Sequence, residues 1–117
     1  MNSEDTVLFL NKYEIDVCFV SGVPIIRDPL FSSLPKYTIN LHLGLIPDYK
    51  GAITMFWPFY MLEPTMAGCT YHFIDRLVDT GHIIHQSCPE LQKGDGMHVV
   101  ACKALITAIA DLPLVIN

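Results

Sequence analysis

Ile39-Asn40-Leu41-His42-Leu43-Gly44-Leu45-Ile46-Pro47-Asp48-Tyr49-Lys50-Gly51 is the stretch on which the reading of this chain turns. It begins as a short apolar strand holding two polar residues and breaks into a loop at Gly44 and Pro47. Side chains alternate along a strand, so Asn40 and His42 share one face while Ile39, Leu41 and Leu43 share the other. One face is expected to carry chemistry and the other to pack.

Working outward, Glu4 to Tyr13 has helical spacing with Ser3 or Asp5 as its cap, and Asp16 to Ser21 reads as a buried parallel strand ended by Gly22 and Pro24. Arg27 to Leu34 is expected to form a brief helix. Ala52 to Leu62 reads as a helix bent at Pro58, its Phe56, Trp57, Phe59 and Tyr60 assigned to core. Met66 to Ile74 and Gly81 to Gln86 read as strands, and Gly96 to Leu112 as a closing helix with Val99, Val100, Leu105, Ile106 and Ile109 on its packed side. This alternation predicts an α/β fold with a mostly parallel sheet.

At 117 residues the chain has the length of one domain, and with 51% apolar and 16% charged residues it is not a disordered tail. Positive mean hydropathy in so short a chain implies apolar surface awaiting cover, from a further N-terminal segment or from a second copy in a homo-oligomer. The net charge of −5 offers no basic patch, so nucleic acid is not an expected partner. No apolar run is read as reaching the roughly 18 to 20 residues of a membrane span, and Met1-Asn2-Ser3-Glu4-Asp5 does not resemble a signal peptide. The expectation is a cytoplasmic protein with no membrane partner. The cysteines at 18, 69, 88 and 102 contain no Cys-x-x-Cys pair and are expected to be reduced core residues. His82 and His85, three apart on a strand, face opposite sides, so no metal site is expected and both are assigned to solvent.

A second polar break, Asp75-Arg76-Leu77-Val78-Asp79-Thr80-Gly81, follows the Met66 to Ile74 run. Asn40-Leu41-His42, Leu45-Ile46-Pro47, Gly51, Gly68-Cys69-Thr70-Tyr71-His72 and Asp79-Thr80-Gly81 together resemble the signature of the formyltetrahydrofolate-dependent formyltransferases. That family includes glycinamide ribonucleotide, methionyl-tRNA and nucleotide-sugar formyltransferases. The resemblance runs from about Asp16 to Gln86. It implies the C-terminal part of a Rossmann-like sheet with helices on both faces, residues 1–117 forming a single catalytic domain that lacks the family's front.

The resemblance also implies a chemistry. Formyl transfer to an amine passes through a tetrahedral oxyanion, which calls for aimed hydrogen-bond donors and for a group that moves a proton. Asn40 and His42 correspond to the oxyanion-stabilising pair. Asp79 corresponds to the third catalytic residue, accepting the amine's proton through an ordered water. Val23, Pro24, Ile25 and Ile26 correspond to the segment lining the folate pocket, with the loop holding Asp75 and Val78 closing over it. The implied donor is 10-formyltetrahydrofolate and the implied partner a small-molecule amine, an amino sugar on a nucleotide or glycinamide ribonucleotide. His72 is assigned a supporting role. Gly44 stands where many relatives have Ser, a small-for-small change expected to preserve the turn. The competing expectation is a truncated remnant that binds folate and turns nothing over.

Overall fold

The structure, a computed structural model, describes residues 2–117. Helix α1 (Glu4–Asn11) starts at Ser3, whose hydroxyl accepts from the Thr6 N–H and so satisfies one of the donors left open at a helix start. Strand β1 (Val17–Val20) pairs in parallel with β2 (Tyr37–His42). The connection between them holds only a single 3₁₀ turn, Phe31–Ser33, in place of the expected Arg27 to Leu34 helix. Antiparallel pairings then add β3 (Cys69–Phe73) and β4 (Ile83–Ser87), giving the order β1-β2-β3-β4. The α/β fold is as expected, but the sheet is mixed and not mostly parallel. For β3 and β4 the reason is in the connection, a loop too short for a crossover helix that can only turn back; the long connection from β2 to β3 would have allowed either direction.

Helix α3 (Met97–Ile116) lies against β3 and β4. Its buried residues are Val100, Ala104 and Ala108, spaced by four so that they form one stripe. Opposite them are Ile39, Cys69 and Tyr71, and the Tyr71 hydroxyl donates to the Ala108 carbonyl at 2.8 Å. Of the residues expected on the packed side, only Val100 is buried; Val99, Leu105, Ile106 and Ile109 are exposed. Small side chains let the helix backbone come down onto the sheet, and that close approach turns the larger apolar residues outward. The helix is also 20 residues long and apolar enough, by length and composition, to cross a membrane, contrary to the sequence reading. Here its alanine stripe seats on the sheet, and Lys103 and Asp111 tie it to Asp95, His85 and Ser87.

Several other expectations are corrected. β1 is an edge strand, and its Val17 and Phe19 are 43% exposed, because among the described residues no strand pairs with its outer edge. The region from Ala52 to Leu62 holds only a four-residue helix, α2 (Trp57–Tyr60), with Pro58 buried at its start, where a missing N–H costs nothing. Phe56 and Tyr60 stack, Trp57 meets both rings edge-on, and all three are exposed, not core. The cysteines carry free thiols, but only Cys69 is core; Cys88 and Cys102 are exposed. His85 is not a free surface histidine, since its Nε2 lies 3.1 Å from an Asp111 carboxylate oxygen.

Candidate active site

The β2–β3 register pairs Asn40 with His72 and His42 with Thr70, which places all four on the sheet face opposite α3. Asn40 and His42 occupy the C-terminal end of β2, the end at which open α/β sheets place ligands. A β-bulge lies beside them: Tyr71 pairs with His85 and His72 with Ile83, leaving Ile84 as the extra residue. Such bulges re-aim side chains.

The loop after β2 is held by the buried hydroxyls of Thr70 and Thr54 and by the Gln86 amide. Thr70 donates to the Gly44 carbonyl at 2.7 Å, Gln86 donates to the Ile46 carbonyl at 2.8 Å, and the Ile46 N–H donates to Thr70 Oγ1 at 3.3 Å. Thr54 donates to the Leu43 carbonyl. These anchors bring the Tyr49 carbonyl to 2.7 Å from His42 Nε2. A Cβ added at Gly44 would lie 2.6 Å from that carbonyl oxygen, 2.7 Å from His42 Nε2 and 2.8 Å from Thr54 Cβ. A side chain at residue 44 would therefore have to displace one of these groups, whereas Gly44 leaves the turn undisturbed. Leu43 lies beyond the end of β2 and, like Leu41, borders the cavity.

Asp79 reaches both histidines. One carboxylate oxygen is 3.4 Å from His42 Nδ1 and accepts from the Gly51 N–H at 2.8 Å, while the other is 3.5 Å from His72 Nε2. Its backbone has φ of 51°, in the left-handed region where Asp is among the better-tolerated residues. The next turn is closed by Gly81, where a Cβ would fall 1.6 Å from the Phe73 carbonyl oxygen, so only glycine lets the loop return so close to β3. Asp75 staples the loop by accepting from Leu77 N–H at 2.7 Å and Thr80 hydroxyl at 2.6 Å. The Thr80 and Leu77 bonds hold the Asp75 carboxyl below the usual carboxylate range.

Above this polar floor is a cavity of about 550 Å³. Val23, Pro24, Ile25 and Ile26 line one side and Asp75 to Asp79 the other, so every residue assigned to the pocket and to catalysis from the sequence borders the same space. At the rim, Arg76 pairs with Asp28 at 2.7 Å and lies over the Phe31 ring at 4.9 Å, linking the two walls. Among the described residues no group of three or more His, Cys, Asp or Glu side chains is placed to hold a metal.

The sequence reading left three features of the site unassigned: the Tyr49 carbonyl, the Gly51 N–H and the contact of His72 with both Asn40 and Asp79. His72 Nε2 is 3.1 Å from Asn40 Nδ2, a pairing of residues 32 apart that only the strand register could reveal. Both ring nitrogens of His42 face groups that only accept hydrogen bonds, and neither is directed at open cavity.

An amide, two histidines and a carboxylate beneath an apolar cleft at a strand end define an α/β site suited to group transfer. The chain belongs to the formyl transferase family: the family model described as Formyl transferase matches residues 2–109. It is 33% identical over 91 residues to the human trifunctional purine biosynthetic protein adenosine-3, an alignment covering 75% of this chain and 9% of that protein. Glycinamide ribonucleotide transformylase 1 from Symbiobacterium toebii superposes with a TM-score of 0.82 at 27% identity, over 96% of this chain and 53% of that one. The formyltransferase PseJ from Anoxybacillus kamchatkensis, in complex with UDP-4,6-dideoxy-4-formamido-L-AltNAc and tetrahydrofolate, superposes with a TM-score of 0.70 at 28% identity, over 87% of this chain and 56% of that one. The chain thus spans only about half the length of these solved structures.

Proposed function

We propose that residues 1–117 form a formyltransferase catalytic domain that holds 10-formyltetrahydrofolate and passes its formyl group to a primary amine. The observation that carries this reading is the convergence of Asn40, His42 and Asp79 at the floor of the cavity bordered by Val23 to Ile26 and Asp75 to Val78. The Asn40 amide donates to the oxygen on which charge develops, and Asp79, steadied by His42, accepts the proton of the attacking amine through an ordered water as the new C–N bond forms; that proton passes to the donor nitrogen released when its bond to the formyl carbon breaks. The apolar walls exclude water and carry the flat ring of the donor.

The amine acceptor is a small molecule, an amino sugar on a nucleotide or glycinamide ribonucleotide. Support comes from the ligands of the Anoxybacillus kamchatkensis structure and from the purine-pathway name of the human relative. A segment in front of this region completes the acceptor side and covers the open edge of β1 and the exposed Leu8 and Phe9 of α1; a second copy of the chain is the other candidate cover. The setting we propose is cytoplasmic, supported by the family match.

The test is calorimetric titration of the folded chain with a stable analogue of 10-formyltetrahydrofolate, followed by formyl transfer to candidate amines. Binding that weakens in Asp79→Ala is expected. A folded chain that binds no donor overturns the reading. The open edge of β1 favours one alternative, a chain that binds folate without turnover, and donor binding with no transfer to any amine in the presence of the front segment would establish it.

A further inference from the structure

His72 is 2% exposed, bears on both Asn40 and Asp79, and has no part in the chemistry proposed above. We propose that it is a positioning residue: held as the neutral ring protonated on Nδ1, it orients the Asn40 amide so that one N–H is spent on His72 Nε2 and the other is presented to the cavity. This rests on the reading of Asn40 as the donor to the developing oxyanion.

The hydrogen-bond inventory leads to this assignment. His72 Nδ1 is 2.9 Å from the Phe73 carbonyl, which only accepts, so Nδ1 carries a proton. In a neutral ring Nε2 then has a bare lone pair, and the group 3.1 Å away that can donate to it is the Asn40 amide nitrogen. The opposite amide orientation would set an oxygen lone pair against a nitrogen lone pair in a buried site, where an unmatched polar contact is costly. The orientation of Asn40 is therefore imposed by a backbone carbonyl two bonds removed from it. Asp79, 3.5 Å from the same nitrogen, competes for it, because a proton on Nε2 would be drawn to the carboxylate and would turn the Asn40 oxygen toward the ring. His72 thus couples the donor to the carboxylate: the oxyanion donor is correctly aimed only while Nε2 is free of a proton. The charged and titratable groups around the ring are Asp79 and Asp75 on the loop and His42 on β2, whose ring centroid is 6.3 Å away.

Two measurements test this. In the uniformly ¹⁵N-labelled chain, long-range proton–nitrogen spectra are expected to show the neutral His72 ring protonated on Nδ1, with a coupling across the hydrogen bond between Asn40 Nδ2 and His72 Nε2. A ring protonated on Nε2 overturns the inference whether or not the chain is active. In formyl transfer, His72→Leu is expected to lower kcat on the order of a hundredfold with little change in donor affinity, the scale of a misdirected group. His72→Gln, whose side-chain oxygen can accept from Asn40, is expected to restore most of it, which a purely packing role would not allow. Adding His72→Leu to Asn40→Ala should cost no more than Asn40→Ala alone. Additive losses overturn the positioning role while leaving Asn40 in place, whereas an Asn40→Ala variant of full activity overturns the proposed function itself.

Discussion

Gly44→Ser isolates the steric logic of the loop that follows β2. The added Cβ would meet the Tyr49 carbonyl oxygen at 2.6 Å, His42 Nε2 at 2.7 Å and Thr54 Cβ at 2.8 Å. None of these is the free end of a flexible chain. The carbonyl belongs to a turn in which Tyr49 N–H bonds to Leu45 O at 2.8 Å, Thr54 is buried and bonded to Leu43 O, and the His42 ring is tied to the same carbonyl at 2.7 Å. Overpacking of this kind costs about 1–3 kcal/mol, and separating His42 from Tyr49 adds about 1 kcal/mol, so a loss of about 2–4 kcal/mol is expected. With a slope of about 1.5 kcal/mol per molar urea, the unfolding midpoint should fall by about 1.3–2.7 M. Equilibrium urea unfolding of wild type, Gly44→Ala and Gly44→Ser is the assay. Alanine should lose nearly as much as serine, because the Cβ is the cause and not the hydroxyl. Variants that unfold at the wild-type midpoint would show that the loop yields freely, and the steric account of the His42 setting would be wrong.

Other consequences are open to measurement. Asn40→Ala is expected to reduce turnover on the order of a hundredfold to a thousandfold, the range for one oxyanion donor, read as kcat in formyl transfer. Tyr71→Phe keeps the buried ring but drops the hydroxyl bond to Ala108, so urea unfolding should register a loss of about 1 kcal/mol. Bonds from Ser87 and His85 hold the Asp111 carboxyl below the ordinary carboxylate value of 3.8. A lowered folded-state value means this stability is present above about pH 3.8 and is lost as pH falls through the folded-state value; the stability difference between wild type and Asp111→Asn should therefore shrink on acidification through that range. Burial, with a smaller contribution from Cys88, pushes the Cys69 thiol up to about 12, so alkylation of the folded chain at neutral pH should modify Cys88 and Cys102 and spare Cys69 until unfolding.

The local pattern carried much of the fold and most of the site's membership. Alternation along Ile39 to His42 placed Asn40 and His42 on one face, because the period of a strand is a property of the backbone alone. The glycine and proline breaks at Gly44, Pro47 and Gly81 likewise marked where strands had to end, and the loop from Asp75 to Gly81 was legible as one unit. The aromatic run at Phe56 to Tyr60 was misread as core, since burial depends on what stands opposite a side chain and not on its hydrophobicity. α3 shows the same limit: a helix apolar on most of its surface gives no sequence signal for which stripe packs, and the small residues Ala104 and Ala108 were seated because only they admit close approach to Tyr71.

By itself, then, the sequence determined the four strands and the first and last helices, which rest on local periodicity, and, through its resemblance to a family, the identity of the polar residues. Only the tertiary structure decided that the sheet is mixed, that Asp79 stands between His42 and His72, and that His72 meets Asn40. Those outcomes depend on strand register and on a loop returning to within contact of β3 at Gly81, long-range relations with no periodic trace along the chain.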